Sequence, residues 1–331
     1  MTYSGVRTAI EVRGLLKRFD DVQAVAGIDF DVIEGELFGF LGPNGAGKST
    51  TINMLIGLAR PDAGTIRIAG IDCSKDPKAA QHLIGVVPDE SNLYPELTGF
   101  DNLSFCGALY GMTKRDREDR ARGLLDRFGL TQAADRKFGG YSKGMKRKLT
   151  IAAGIIHSPA ILFMDEPTSG IDVASARQIR QLVADLNAHG TTIFLTTHYI
   201  EEAQRLCGRI AFIVEGRIVR TDTVEELMRR TDGRYVVQFA ISDGTTEACQ
   251  AIAAEWPDLR CQPVADGQFR VESPEPVRVG PLVRLLEDRG LEVSEARKVQ
   301  PSLEDVFVEI TGIEAGAMRQ EKERPAKGGG A

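Results

Sequence analysis

The sequence has no apolar run long enough to cross a bilayer. A membrane-spanning helix needs about 20 predominantly apolar residues, and the strongest runs here, Ile151–Ile156 and Ile161–Met164, are far shorter. It also lacks a basic excess: 41 Lys+Arg stand against 47 Asp+Glu. That balance argues against a general nucleic-acid binder. Cysteine is scarce, with Cys73, Cys106, Cys207, Cys249 and Cys261 and no Cys-x-x-Cys pair. Zinc and disulfide readings are therefore weak, and reduced thiols in a cytosolic protein are expected. The opening MTYSGVRTAIEVRG has neither the apolar core nor the cleavage pattern of a secretory signal. The four histidines, His82, His157, His189 and His198, all lie in the first two thirds. The last third thus carries no histidine-based catalytic constellation.

What remains is an ordinary globular composition, 42% hydrophobic and 27% charged over 331 residues, enough for one large domain or two medium ones. Apolar runs alternate with helical patterns through the first two thirds. Ala9–Leu15, Ala24–Val32, Leu37–Leu41, Thr65–Ile68 and Ile84–Val87 read as strands. Ile161–Met164 and Thr192–Thr196 are continuous apolar or β-branched runs, as in buried parallel strands. Ser49–Leu58 and Gln178–Ala188 have helical spacing. A Leu/Arg/Asp-rich stretch at about 100–140 reads as a helical insertion in an α/β domain spanning 1–230. Near the polar segment Thr231–Arg234 the pattern changes. Strand Tyr235–Ile241, helix Thr246–Trp256, a hairpin at Ala265–Gly267, helix Val279–Arg289 and strand Leu291–Lys298 spell β-α-β-β-α-β. That order predicts a small α+β, ferredoxin-like accessory domain over 231–312. Residues 313–331 have too little apolar content to pack and are expected to be a disordered tail.

Gly42–Thr50 reads G-P-N-G-A-G-K-S-T, matching G-x-x-x-x-G-K-[ST] between an apolar strand and a helix. Such a loop wraps phosphate oxygens with backbone N–H groups, and the following helix N-terminus adds positive potential. Asn44, Gly45, Ala46, Gly47, Lys48, Ser49 and Thr50 are therefore cofactor-binding candidates, with Lys48 on the β- and γ-phosphates and Ser49 on Mg²⁺. Ile161–Glu166 is an apolar strand ending in two acids. At the ligand edge of a parallel sheet, Asp165 suits Mg²⁺, and Glu166 suits accepting a proton from water or orienting that water.

Tyr141-Ser142-Lys143-Gly144-Met145-Lys146 brings in a family. The chain resembles the ATP-binding subunits of ABC transporters, whose Leu-Ser-Gly-Gly-Gln signature has a Ser-x-Gly-Met-Lys variant in the drug-resistance and polysaccharide-export branch. Read alone, Ser142 is also a helix N-cap. The resemblance implies a P-loop ATPase fold and an ATP-sandwich dimer in which Ser142 and Gly144 contact ATP held by a second subunit. It identifies Ser169-Gly170-Ile171-Asp172 with the family's interfacial Asp-loop and His198 with its γ-phosphate histidine. Phe19 takes the adenine-stacking place, the alternative being a core Phe. Pro301–Phe307 resembles a Ser-Leu-Glu-Asp-Val-Phe stretch of the same branch, and physically reads as a capped helix start.

One position departs from the family. Its usual Gln is Asp89 here, in Val87-Pro88-Asp89-Glu90. A carboxylate still suits a hard cation, so Asp89 stays a nucleotide and metal candidate, with an added negative charge beside the triphosphate. The basic cluster Lys143, Lys146, Arg147 and Lys148 reads as a solvated helix face, and Lys114–Arg120 as an exposed helix of alternating sign. The resemblance implies an ATPase using ATP and Mg²⁺, one of two like subunits. It would energise a separate membrane permease of an exporter from the cytoplasmic face. A soluble ABC ATPase acting on DNA or the ribosome fits less well, since there is one cassette, no long heptad run and no basic excess. A small-molecule kinase explains the glycine loop but not Ser142–Met145 or His198.

Overall fold

The computed structural model describes residues 7–73, 76–229, 235–299 and 302–313. The chain divides into two compact units, one running to Thr223 and taking in Ile310 onward, the other Val224–Glu309. The turn-rich Thr231–Arg234 and all of the expected tail beyond Ile313 lie outside the described residues.

In the first unit, β1 (Thr8–Phe19) and β2 (Val22–Ile33) form a long antiparallel hairpin. β3 (Leu37–Leu41) is buried at every residue, as expected of a strand covered on both faces. The glycine loop follows, then α1 (Lys48–Leu55). β4 (Ala63–Ile68) and β5 (Ile71–Asp72) complete a four-stranded sheet of order β2-β1-β4-β5. β6 (Ile84–Val87) leads to the insertion, α2 (Gly99–Leu109) and α3 (Lys114–Arg127). Next come α4 (Lys143–Gly154), β7 (Ile161–Asp165), α5 (Val173–Ala188), β8 (Thr192–Thr197), α6 (Ile200–Leu206), β9 (Arg209–Val214) and β10 (Arg217–Thr223). The second sheet has the order β10-β9-β3-β8-β7-β6. All its neighbours are parallel except β9 and β10.

The insertion helices start where their sequences provide caps. Thr98 and Thr113 accept from the amides of Asp101 and Asp116, and each hydroxyl donates back to that aspartate at 2.6 Å. Of the alternating charges of α3, Lys114, Arg115, Asp116 and Asp119 are exposed, with Lys114 3.9 Å from Glu118, whereas Arg120 is half-buried and Arg117 turns to α2, where its Nε donates to Ser104 Oγ at 3.1 Å. Ala121, Leu124 and Leu125 face inward. The two sheets share one core. Phe30 stacks on Phe38 at 5.9 Å and Phe40 meets Phe194 at 5.4 Å, with Ile52 and Leu55 of α1 packed in the same cluster. Each such ring contributes roughly 1.5–3 kcal/mol of burial, which makes the sheet edge rigid enough to carry a site.

The second unit holds α7 (Val224–Arg229), β11 (Tyr235–Ile241), α8 (Thr245–Glu255), β12 (Arg260–Ala265), β13 (Gln268–Ser273), α9 (Val279–Asp288), β14 (Val293–Val299) and most of α10 (Leu303–Thr311). Its sheet, β12-β13-β11-β14, is wholly antiparallel. This is the β-α-β-β-α-β arrangement, with Phe239 and Phe269 stacked at 5.0 Å under α8 and α9. Ser302 and Asp305 cap α10 reciprocally, at 3.2 and 2.9 Å. The cysteine expectation needs correction: Cys249 on α8 and Cys261 on β12, with Cα atoms 5.2 Å apart, form a disulfide, while Cys73, Cys106 and Cys207 are free. Spacing hid the pair because helix and strand meet only in the folded unit. Among the described residues no helix is long and apolar enough to cross a membrane.

Candidate active site

Register brings the candidate residues to one edge. Leu41 pairs with Thr197, Asp165 with Thr196, and Val87 with Met164. The segments leaving β3, β6, β7 and β8 are therefore neighbours, and they carry Gly42–Gly47, Asp89, Glu166 and His198. The carboxyl edge of a parallel sheet is where ligands bind in such folds.

The glycine loop is shaped by its glycines. Gly47 has φ 101°, and a Cβ there would sit 2.3 Å from the Ala24 carbonyl oxygen. Gly47 is also the N-cap of α1, with no capping side chain and no acidic residue in the first turn. The helix thus keeps its positive end for an anion. Lys48 is buried and donates to the carbonyls of Gly42 at 2.8 Å and Pro43 at 3.0 Å. Asn44, Gly45, Gly47, Lys48, Ser49, Thr50, Asp89 and Glu166 line a cleft of about 430 Å³, together with Val22–Ala24 and Glu215. Ala46 does not line it. It braces the loop from behind, its carbonyl accepting from Gly216 at 3.0 Å.

Glu166 is the most constrained residue of this edge. It has φ 47°, in the left-handed region that non-glycine residues rarely occupy, at a cost of order 1–3 kcal/mol. Its amide donates to the Thr196 carbonyl at 3.1 Å. Its carboxylate sits between Lys48 Nζ at 3.3 Å and His198 Nδ1 at 2.5 Å. Asp165 accepts from the Thr196 hydroxyl. His198 is buried, its ring 4.0 Å from that of Tyr199.

Besides Ala46, Asp165 and His198, four further candidates lie outside the cleft lining. Phe19 is 49% exposed, with Lys17 Nζ 5.1 Å from its ring centre, so it is not a core residue. Ser142 caps α4, accepting from Met145 N at 3.3 Å. Asp172 caps α5, accepting from Ser175 N at 2.9 Å, and the hydrogen bonds of Ser175 hold its carboxyl below the usual range. Gly144 lies where these helix starts abut: a Cβ there would be 2.5 Å from Ser175 Oγ.

Two residues of this edge are not apparent from the sequence. Arg147 does not belong to a solvated basic face. It is 6% exposed and donates to backbone carbonyls on both sides of the cleft edge. Helical spacing carried the signal, since Gly144, Thr150 and Ile151, three or four positions away, are all buried. Glu202 is also buried and accepts from Thr168 Oγ1 and Thr197 Oγ1, each at 2.7 Å. It ties the segment after Glu166 to the one before His198. Nothing in the sequence separates it from Glu201, which is exposed.

Burial pushes the Glu202 carboxyl above its ordinary 4.5, opposed by the two hydroxyls. A raised carboxyl binds its proton more tightly in the folded state. Its contribution is fully present below the unfolded value and is lost as pH rises through the folded one. Thermal melts of wild type and Glu202→Gln across pH 4–8 are expected to show the wild type losing stability relative to the variant as pH rises from about 4.5. A constant difference would contradict this.

A glycine loop opening a helix, two carboxylates at the end of a buried parallel strand and a buried histidine just past the next strand define a nucleotide-hydrolysing α/β domain. The profile of the ABC transporter family matches residues 25–169. The chain is 36% identical over 306 residues to the linearmycin resistance ATP-binding protein LnrL of Bacillus subtilis (strain 168), covering 92% of this chain and 98% of that one. It is 39% identical over 306 residues to the daunorubicin/doxorubicin resistance ATP-binding protein DrrA of Streptomyces peucetius, covering 92% of each. The dimeric structure of a post-hydrolysis state of the ATP-binding cassette MJ0796 bound to ADP and Pi superimposes with a TM-score of 0.60 at 26% identity, over 65% of this chain and 98% of that one. The chain belongs to the ABC transporter family, as an ATP-binding subunit that hydrolyses ATP.

Proposed function

We propose that two copies of this chain sandwich two ATP molecules, and that closure and hydrolysis drive a separate membrane permease of an exporter. One observation carries the reading: the chemistry is divided. Lys48, Ser49, Thr50, Asp89 and Glu166 line the cleft, whereas Ser142 and Asp172 sit at paired helix starts outside it. The start of α4, capped by the uncharged Ser142, favours an anion, and its own chain's phosphate site lies elsewhere, in the cleft. A second copy turned about a two-fold axis supplies one.

Within one site, Lys48 would bind the β- and γ-phosphates and Glu166 would take the proton of the attacking water. His198, beside Glu166 Oε2, would hold the γ-phosphate and orient that carboxylate. Phe19, exposed at the end of β1, would offer its face to adenine. Ser49, Asp165 and Asp89 are the candidates to hold Mg²⁺. Hydroxyl and carboxylate oxygens suit this hard cation, which keeps several waters and takes few protein ligands. Among the described residues no group of three His, Cys, Asp or Glu makes a metal cage, so phosphate oxygens would complete the coordination. The ion would neutralise charge on the β- and γ-oxygens.

The permease contact is assigned to the stretch from Asp89 through the helical insertion. Tyr94, Phe105, Leu109 and Tyr110 there are 39–70% exposed, and Tyr94 packs edge-on against Phe105 at 5.3 Å. Such exposed apolar side chains mark a contact surface. The assembly would place the chain at the cytoplasmic face of the membrane. No nucleic-acid partner is part of this reading.

The sandwich is tested with Ser142→Glu. A carboxylate at that helix start repels a γ-phosphate. The variant should bind ATP in its cleft as the wild type does but lose Mg²⁺-ATP-dependent dimerisation in analytical ultracentrifugation. Dimerisation at wild-type strength would sink the divided site.

A further inference from the structure

The guanidinium of Arg147 is the most heavily engaged side chain at the cleft edge. Its Nε donates to the Pro167 carbonyl at 2.7 Å. Nη1 donates to Asp89 O at 2.9 Å and to Pro88 O. Nη2 donates to Asp165 O at 2.8 Å and Glu166 O at 2.6 Å. Arginine has five N–H groups in a planar fork, and here five carbonyls receive them. Those carbonyls belong to two separate segments, one leaving β6 and one leaving β7. The β6–β7 ladder ends at Val87 and Met164, and beyond it Arg147 supplies the cross-link between these two segments that backbone pairing supplies up to that point.

The charge matters as well as the fork. Burial disfavours the cation, and the carboxylates of Asp89, Asp165, Glu202 and Glu166 favour it. A buried charge is tolerated when paired and hydrogen-bonded. Asp89 adds one negative charge to this corner, and Arg147 provides a positive charge facing it from behind the backbone. Lysine, a point charge with three donors, cannot satisfy five carbonyls spread over two segments.

We propose that Arg147 is a positioning residue for ATP hydrolysis, clamping the backbone of residues 88–89 to that of 165–167 and so fixing Asp89, Asp165 and Glu166 relative to one another. It sits on α4, the helix that Ser142 caps. Movement of that helix start on a nucleotide held by a second copy would therefore be felt at the carboxylates of its own chain. The proposal rests on the roles given above to Asp165 and Glu166.

The test compares wild type, Arg147→Met, Arg147→Lys, the helix control Lys148→Met, and Glu166→Gln, all as the full chain. Steady-state ATPase, equilibrium ATP binding and Mg²⁺ titration are the readouts. For Arg147→Met, kcat should fall on the order of 10- to 100-fold, as for carboxylates displaced by about an ångström, with ATP affinity within about threefold of wild type. The Mg²⁺ concentration for half-maximal rate should rise. Arg147→Lys should be intermediate and Lys148→Met unchanged. Should Arg147→Met fail to fold, Arg147→Lys carries the same comparison. Unchanged kcat and Mg²⁺ requirement in a folded Arg147 variant overturns the clamp, as does a kcat loss matched by equal loss of ATP binding. Glu166→Gln separates the two claims: if it keeps turnover, the assignment of Glu166 fails; if it is inactive while the Arg147 variants match wild type, only the clamp fails.

Discussion

Glu166→Gln is expected to lower ATP turnover by roughly 10²- to 10⁴-fold, the range for removal of a positioned general base. Glutamine has the same shape but accepts no proton from water. ATP binding should survive, because Lys48 keeps its bonds to the Gly42 and Pro43 carbonyls, and a glutamine oxygen can still accept from its ammonium, 3.3 Å from Glu166 Oε1. The backbone at this residue, with φ 47°, is held by Thr196 rather than by the carboxylate, so the variant should fold. Phosphate release measured beside equilibrium ATP binding checks both halves. Turnover within a few-fold of wild type would mean that another group takes the proton.

Lys48→Ala acts on the other half. It removes the only cation among the described residues lining the cleft and leaves Asp89, Glu166 and Glu215 facing the triphosphate. A charge-assisted hydrogen bond is worth roughly 1.5–3 kcal/mol, so ATP affinity should fall about 10- to 100-fold. Repulsion from Glu166, 3.3 Å from the ammonium in the wild type, pushes toward the upper end. Titration with a fluorescent ATP analogue measures this, and wild-type affinity would remove Lys48 from phosphate binding. High salt should narrow the gap, since screening weakens both the lost attraction and the new repulsion.

The parts of this site that were legible in the sequence are those written locally. β3, β7 and β8 are continuous apolar runs, which only a strand covered on both faces tolerates. The glycine loop announces itself by spacing, and the caps at Ser142 and Ser302 by residue type three positions before the amide they serve, while Asp172, expected only as an interfacial residue, caps α5 in the same way. Strand and helix ends differ by a few residues from the expected ones, most at α5, which starts at Val173 rather than Gln178, and at β1, which runs on to Phe19. What stayed hidden depends on tertiary neighbours. Arg147 looks like its lysine neighbours until α4 is laid against residues 88–89 and 165–167. Glu202 looks like Glu201 until Thr168 and Thr197 reach it. Cys249 and Cys261 are paired by the packing of α8 on β12.

In the proposed sandwich, this chain completes its ATP site with a second copy. The most direct test is the solution mass of the full-length Glu166→Gln variant by light scattering, with and without Mg²⁺-ATP. A monomer is expected without nucleotide and a stable dimer with it, reverting to monomer when Ser142→Glu is added to the same chain. A mass that stays monomeric in saturating Mg²⁺-ATP, while ATP is demonstrably bound, would contradict it.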